Sequence, residues 1–236
     1  MTTNGFTWLD PHNPEQNFPA LEQALQEPNG LLAAGGDLSS QRLLSAYQQG
    51  IFPWYSEGEP IMWWSPDPRS VIFPHQLKIS RSLKKTLNKA IFTVTFDTAF
   101  ADVINACAAP RKDEDGTWIS ADMTLAYSKL HELGHAHSVE VWQNKKLVGG
   151  LYGIAVGKVF FGESMFHRQT DASKVGFVRL IQQLAQWGFQ LIDCQIPSQH
   201  LDSLGACLIS RREFASLLKQ HSHHTIAGKW QTSPLI

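Results

Sequence analysis

The stretch from Leu147 to Gln195, LVGGLYGIAVGKVFFGESMFHRQTDASKVGFVRLIQQLAQWGFQLIDCQ, constrains the fold more than any other part of the chain. Two apolar runs, Leu147–Val156 and Lys158–Phe166, are broken at Gly157, and this spacing predicts a β-hairpin. Asp171 or Ser173 offers a helix N-cap. Phe177, Leu180, Ile181 and Leu184 then recur at i, i+3, i+4 and i+7, the mark of a helix with one buried face. Gly188 ends that helix, and Phe189–Ile196 reads as a buried strand. On a regular strand Asp193 and Gln195 share a face, because side chains alternate with period two. The same alternation puts Phe161, Glu163 and Met165 on one side of the hairpin. A carboxylate among large apolar groups must be paired, protonated or used, since a buried lone charge is costly. The competing reading is that Glu163 and Asp193 only satisfy buried neighbours.

At 236 residues the chain has room for one large domain or two modest ones. Its 43% hydrophobic and 17% charged residues describe a globular protein, not a disordered one. A net charge of −1 means that a nucleic-acid partner has to be met by a local basic patch. No signal peptide and no run of 18 apolar residues is present, so no membrane association is expected. Cys107, Cys194 and Cys207 form an odd, widely spaced trio, which argues for free thiols and a cytoplasmic location.

Residues 1–19 read as an irregular lead-in, followed by a short helix over Ala20–Glu27. A second helix spans Gln41–Gln49, with Leu43, Leu44 and Tyr47 inward. The aromatic and proline-rich segments Ile51–Tyr55 and Trp63–Arg69 read as irregular structure, either a packed loop or a stacking wall for a planar ligand. Arg69–Pro74 is strand-like. The next helix opens at Ser80 or Ser82 and carries Arg81, Lys84, Lys85 and Lys89. Arg81, Lys85 and Lys89 share one face, where like charges repel unless an anion arrives. Such a face is either simply solvated or tracks phosphates. Beyond it come a strand over Ile91–Phe96, a helix over Phe100–Cys107 and a helix over Ala121–Leu133 with Met123, Tyr127 and Leu130 inward. A strand over Ser138–Trp142 and a C-terminal helix over Arg211–Gln220 complete the pattern.

His131-Glu132-Leu133-Gly134-His135 fits the HExxH pattern of zinc peptidases, so a zinc metallopeptidase is one alternative function. Gly134 argues against it as a helix stop that takes His135 off the helical face, and Ser138–Trp142 is already strand-like.

The motifs GLLAAGGDL, AYQQGIFPWY, PIMWWSPDPR, GTWIS, LVGGLYGIAVGKVFFGESMFHR, LIDCQ and HLDSLGA together resemble the bacterial leucyl/phenylalanyl-tRNA–protein transferase family over roughly Ala20 to Phe214. Ser210 stands where that family is expected to have proline. The resemblance implies an α/β fold (α+β mixed sheet) in which a GNAT acyltransferase-like domain, residues 68–236, follows a small aromatic-rich N-terminal domain, residues 1–67. It implies transfer of Leu or Phe, and less well Met, from aminoacyl-tRNA to the amine of acceptor proteins with N-terminal Arg or Lys, which marks them for N-end rule degradation. A monomer without metal, ATP or acetyl-coenzyme A is implied. Asp193 and Gln195 become the catalytic pair. Trp54 and Trp118 hold the terminal adenosine, while Glu163, Met165, Phe160, Phe161, Phe177 and Tyr127 line the amino-acid pocket. Arg81, Lys84, Lys85 and Lys89 meet the tRNA body as phosphate. Glu163 or the Asp113–Asp115 loop would bind the acceptor's basic side chain.

The chemistry fits these residue types. Aminolysis of an activated ester brings its nucleophile with the substrate, so no Ser–His or Cys–His pair is needed. An α-amino group with a pKa of roughly 7.7–8.0 is already partly neutral near pH 7. A carboxamide such as Gln195 is no base there, but its carbonyl can aim the amine, with Asp193 orienting it and stabilising developing positive charge. A plain acetyl-coenzyme A-dependent N-acetyltransferase is the other alternative. It needs a glycine-rich turn opening a helix, and Gln169–Lys174 is not one.

Overall fold

The computed structural model describes residues 2–3, 6–110, 119–223, 230 and 235. Two sheets organise it. The first is built from β1 (Thr2–Thr3), β2 (Phe6–Leu9), β3 (Leu31–Gly35), β4 (Phe52–Pro53) and β5 (Met62–Trp64), in the order β1-β2-β3-β5-β4, with α1 (Ser40–Gln48) between β3 and β4. The lead-in is therefore not irregular: β2 pairs parallel to β3 through Thr7–Ala33 and Leu9–Gly35. The aromatic segments are not loops either. β3 and β4 flank β5 and give its backbone partners, while Trp63 is fully buried and donates its indole N–H to Gly35 O at 2.9 Å. Only a 3-10 turn, Leu21–Gln23, replaces the helix expected over Ala20–Glu27, because Leu25 N turns away to bond Leu31 O.

The second sheet follows β6 (Arg69–Ile72), α2 (Arg81–Asn88), β7 (Thr93–Phe96), α3 (Phe100–Ala108), α4 (Ala121–Glu132), β8 (Ala136–Gln143), β9 (Lys146–Val156), β10 (Val159–His167), α5 (Ala172–Gln186), β11 (Leu191–Gln195), α6 (Gln199–Asp202), β12 (Cys207–Ile209) and α7 (Arg211–His221). Its strand order is β12-β6-β11-β10-β9-β8-β7, antiparallel throughout except for the parallel pair β10–β11. The expected hairpin, helix and strand are its centre. Ser210, at the position where proline was expected, caps α7 by accepting from Glu213 N.

One face of this sheet packs α5, and Phe160, Val175, Phe177, Ile181 and Leu184 share that core. The other face packs α1, α3, α4 and α7 in a core that also takes in Leu9, Trp63 and Phe52. The sheets divide between Trp64 and Arg69, yet the core beneath them is continuous. No helix among the described residues is long and apolar enough to cross a membrane.

Candidate active site

β10 and β11 run parallel for only three registered pairs, Val159–Leu191, Phe160–Ile192 and Phe161–Asp193. Beyond Phe161 the strands part, and a cleft of about 1300 Å³ opens between them. Both strands are irregular at that point. β10 shifts register against β9 between Gly162 and Ser164, which makes Glu163 a bulge residue. β11 shifts against β6 between Asp193 and Gln195, and Gln195 adopts φ +64°. These irregularities correct the alternation read from the sequence. Phe161 packs against Tyr47 and Phe214 in one core, whereas Met165, four residues on, packs against the other. An extra residue in a strand reverses the side-chain parity that follows it.

The bulges bring two polar groups together across the gap. Gln195 Nε2 donates to Glu163 Oε1 at 2.8 Å, and Tyr127 Oη donates to Glu163 Oε2 at 3.0 Å. Behind them the Tyr47 and Tyr127 hydroxyls share a hydrogen bond. With its amide hydrogens turned to Glu163, Gln195 presents its carbonyl oxygen away from that carboxylate. Glu163 keeps a small part of its surface on the cleft, but desolvation raises its pKa to about 7. The hydroxyls of Tyr47 and Tyr127 and the Gln195 amide oppose that rise, while Asp193 adds to it. Each Glu163 oxygen thus accepts one hydrogen bond and keeps a second lone pair.

Asp193 is fully buried and takes a two-pronged grip from Arg69, with Nε–Oδ1 at 2.8 Å and Nη2–Oδ2 at 2.6 Å. Arg69 lies between the rings of Phe52 and Phe214, 4.8 and 4.6 Å from their centroids. Asp193 Oδ1 also accepts from Gln195 N at 2.9 Å, which holds the left-handed backbone at Gln195. Its charge is answered by Arg69, and through Gln195 N it also fixes the backbone that carries the Gln195 side chain. Arg69 was missed in the sequence because no spacing shows that an arginine is buried. Tyr47 was read there only as an inward-facing helix residue.

The other expected site residues divide. Trp54, Glu163, Met165 and Phe177 line the cleft with Leu151 and Tyr152. Trp54 is 42% exposed, with its ring 5.7 Å from that of Trp64. Phe160 and Phe161 do not border the cleft: each is completely buried, Phe160 behind it in the core shared with Phe177. Tyr127 is buried too and reaches the site only through Glu163. Trp118 and the Asp113–Asp115 loop lie outside the described residues. Arg81, Lys84, Lys85 and Lys89 are exposed on α2. That helix is tied to the cleft rim by the bond from Thr86 Oγ1 to Asp171 Oδ2 at 3.0 Å.

HExxH is not assembled as a metal site. α4 ends at Glu132, and Gly134 takes φ +79°, so the two histidines do not face each other across one helical turn. His131 Nδ1 is spent on Ala136 O at 2.8 Å, its ring stacked on Phe100 at 4.2 Å. Glu132 is a surface residue held by Lys129 at 2.8 Å.

A mixed α/β sheet that splits beside a carboxamide, an acid and an apolar wall defines a chain built for group transfer within a cleft. Residues 71–219 match the leucyl/phenylalanyl-tRNA protein transferase family and residues 36–67 match its N-terminal domain, and the chain belongs to this family. A leucyl/phenylalanyl-tRNA–protein transferase of Stutzerimonas stutzeri (strain A1501) is 59% identical over 225 residues, 95% of this chain and 99% of its own length. Those of Cellvibrio japonicus (strain Ueda107) and Pseudomonas aeruginosa (strain LESB58) are 62% and 61% identical over 89% and 94% of this chain, and 89% and 97% of their own lengths. Among solved structures, a GCN5-related N-acetyltransferase from Kribbella flavida matches with a TM-score of 0.40 at 13% identity, over 68% of this chain and 57% of that one.

Proposed function

We propose that this cleft carries Leu or Phe, and less well Met, from aminoacyl-tRNA to the α-amino group of a protein that begins with Arg or Lys. The observation that carries this reading is the Gln195 amide, pinned by Glu163 at 2.8 Å in a cleft that Met165 and Phe177 also line. The neutral amine donates a hydrogen bond to that carbonyl, which aims the nitrogen lone pair at the ester carbon. A C–N bond forms and the bond to the ribose oxygen breaks. The amine's proton leaves to that departing oxygen, and Glu163, with a pKa of about 7, lines the same cleft. Gln195 is catalytic in this scheme, and Asp193, Arg69, Glu163 and Tyr127 are positioning residues.

The aminoacyl side chain occupies the wall formed by Leu151, Met165 and Phe177, and Trp54 stacks on the terminal adenine with Trp118. Met165 adapts to either Leu or Phe. The residues up to 67 form the smaller N-terminal domain and those from 68 the catalytic one. The chain acts as a monomer in the cytoplasm, where Cys107, Cys194 and Cys207 stay outside any disulfide, and the product is marked for N-end rule degradation.

Labelled leucyl-tRNA and an Arg-initiated peptide, run against labelled acetyl-coenzyme A, test this reading. Label is expected on the peptide from leucyl-tRNA only, with loss of turnover in Gln195→Ala. Label arriving from acetyl-coenzyme A, or cleavage of the peptide, overturns it.

A further inference from the structure

One end of the cleft gathers basic side chains that this scheme does not use, two of them, Arg168 and Lys174, cationic. His167 and Arg168 at the end of β10, Lys174 in the first turn of α5, and His200 on α6 all border it. They stand close enough to feel one another: burial, then Lys174, then His167 push the His200 imidazole below its ordinary range. His200 Nε2 is shielded from solvent and has no hydrogen-bond partner. A buried polar atom left unpaired costs about 1–3 kcal/mol and calls for a reason.

The start of α5 supplies another positive element. No side chain caps it, and although Ala172 N donates to Gln169 O at 3.1 Å, the positive end of its dipole lies at the cleft wall that Ser173 and Lys174 line. Gly149 permits the close seating of that turn, because a Cβ there would stand 2.7 Å from Ala172 Cβ. The acid at this end is Asp171. Its carboxylate already accepts from Thr86 at 3.0 Å and lies 3.9 Å from Lys174 Nζ. Arg168 gives one donor to Leu147 O at 3.2 Å and keeps the rest of its fork.

We propose that this end of the cleft is a phosphodiester subsite, in which Lys174 and His200 hold the phosphate joining the terminal nucleotide of the donor to the nucleotide before it. The subsite rests on the donor being an aminoacyl-tRNA. It differs from the α2 face, which is fully outside the cleft and meets phosphates farther along the acceptor stem. The Arg168 and Lys174 charges repel an incoming Arg or Lys side chain, so the acceptor is confined to the opposite side of the Gln195–Glu163 pair.

The test uses the intact protein and leucyl-tRNA as donor. Cytidylyl-adenosine and its methylphosphonate analogue, whose linkage is neutral, are compared as competitive inhibitors. The charged dinucleotide is expected to bind about tenfold more tightly, as one charge-assisted hydrogen bond implies. In Lys174→Gln and His200→Ala the ratio of the two inhibition constants falls toward one, while Lys174→Arg keeps it. Equal inhibition constants in the unaltered protein, no inhibition by either compound, or a ratio that both substitutions leave unchanged overturns the subsite. Absence of any leucyl transfer overturns the transferase reading itself.

Discussion

Arg69 and Asp193 form a doubly hydrogen-bonded ion pair, 2.8 and 2.6 Å, from which solvent is almost wholly excluded. β6 supplies the arginine and β11 the aspartate, and the two strands are neighbours in the sheet. The pair therefore joins the end of the aromatic N-terminal segment to the strand that carries Gln195. Removing one partner strands the other charge in the core. Arg69→Ala is expected to lower stability by about 3–5 kcal/mol in urea unfolding. Arg69→Met combined with Asp193→Leu should recover most of that loss while transfer activity stays absent, because Gln195 N has lost its acceptor. A single Arg69→Ala protein as stable as the unaltered one would remove the pair from the account of how Gln195 is held.

Glu163 gives stability a pH dependence whose sign is fixed by the direction of its shift. Its folded pKa, about 7, lies above the usual carboxylate value of 4.5. Between these values the folded state binds the extra proton, so stability falls as pH rises from about 4.5 to 7 and levels off above. The full difference amounts to roughly 3 kcal/mol at most. Glu163→Gln should flatten this slope, read as the difference in urea midpoint between pH 5 and pH 8. Tyr127→Phe removes a donor to the ionised form and should steepen it. A slope unchanged in Glu163→Gln would mean that another group titrates there.

Much of this arrangement was legible in the sequence, and the illegible part has a physical cause. Apolar periodicity located the hairpin, α5 and β11 because burial of one face dictates where the large side chains recur. The bulges at Glu163 and Gln195 leave no such trace, so the parity of Phe161 and Met165 was read wrongly. Strands β2, β3 and β5 were missed for a related reason. They are short, rich in Trp and Pro neighbours, and paired with chain distant in sequence, so local propensity was outweighed by tertiary pairing. The partner of Asp193 left no trace either, because Arg69 lies 124 residues away.

The basic face of α2 predicts a salt effect. Arg81, Lys84, Lys85 and Lys89 are all exposed, and α2 packs beside α5 at the cleft rim. If Lys85 and Lys89 each neutralise one phosphate, Lys85→Glu with Lys89→Glu weakens tRNA binding. The slope of log affinity against log salt then becomes shallower by about two. Filter binding at several salt concentrations with uncharged tRNA measures both. Affinity and slope that both stay the same would leave α2 as a merely solvated face.

The proposed amino-acid pocket makes selectivity among donors testable at the apolar wall, where Leu151, Met165 and Phe177 line the same cleft as Gln195. Phe177 is held rigidly in the core under the sheet, at 2% exposure, and Leu151 is fixed in β9 with the same exposure. Met165 is the adaptable member, unbranched and only partly buried, at the point where β10 has left its parallel partner. Shortening it enlarges the slot without disturbing either strand. The larger phenyl ring fills the new space, while leucine leaves a void with no contact on one side. A few methylenes in such a slot discriminate by about 1–3 kcal/mol. Met165→Ala is therefore expected to raise the ratio of kcat/KM for phenylalanyl-tRNA over leucyl-tRNA by about tenfold, measured by competition between the two labelled donors. An unaltered ratio would place the amino-acid side chain elsewhere in the cleft and leave Met165 as packing alone.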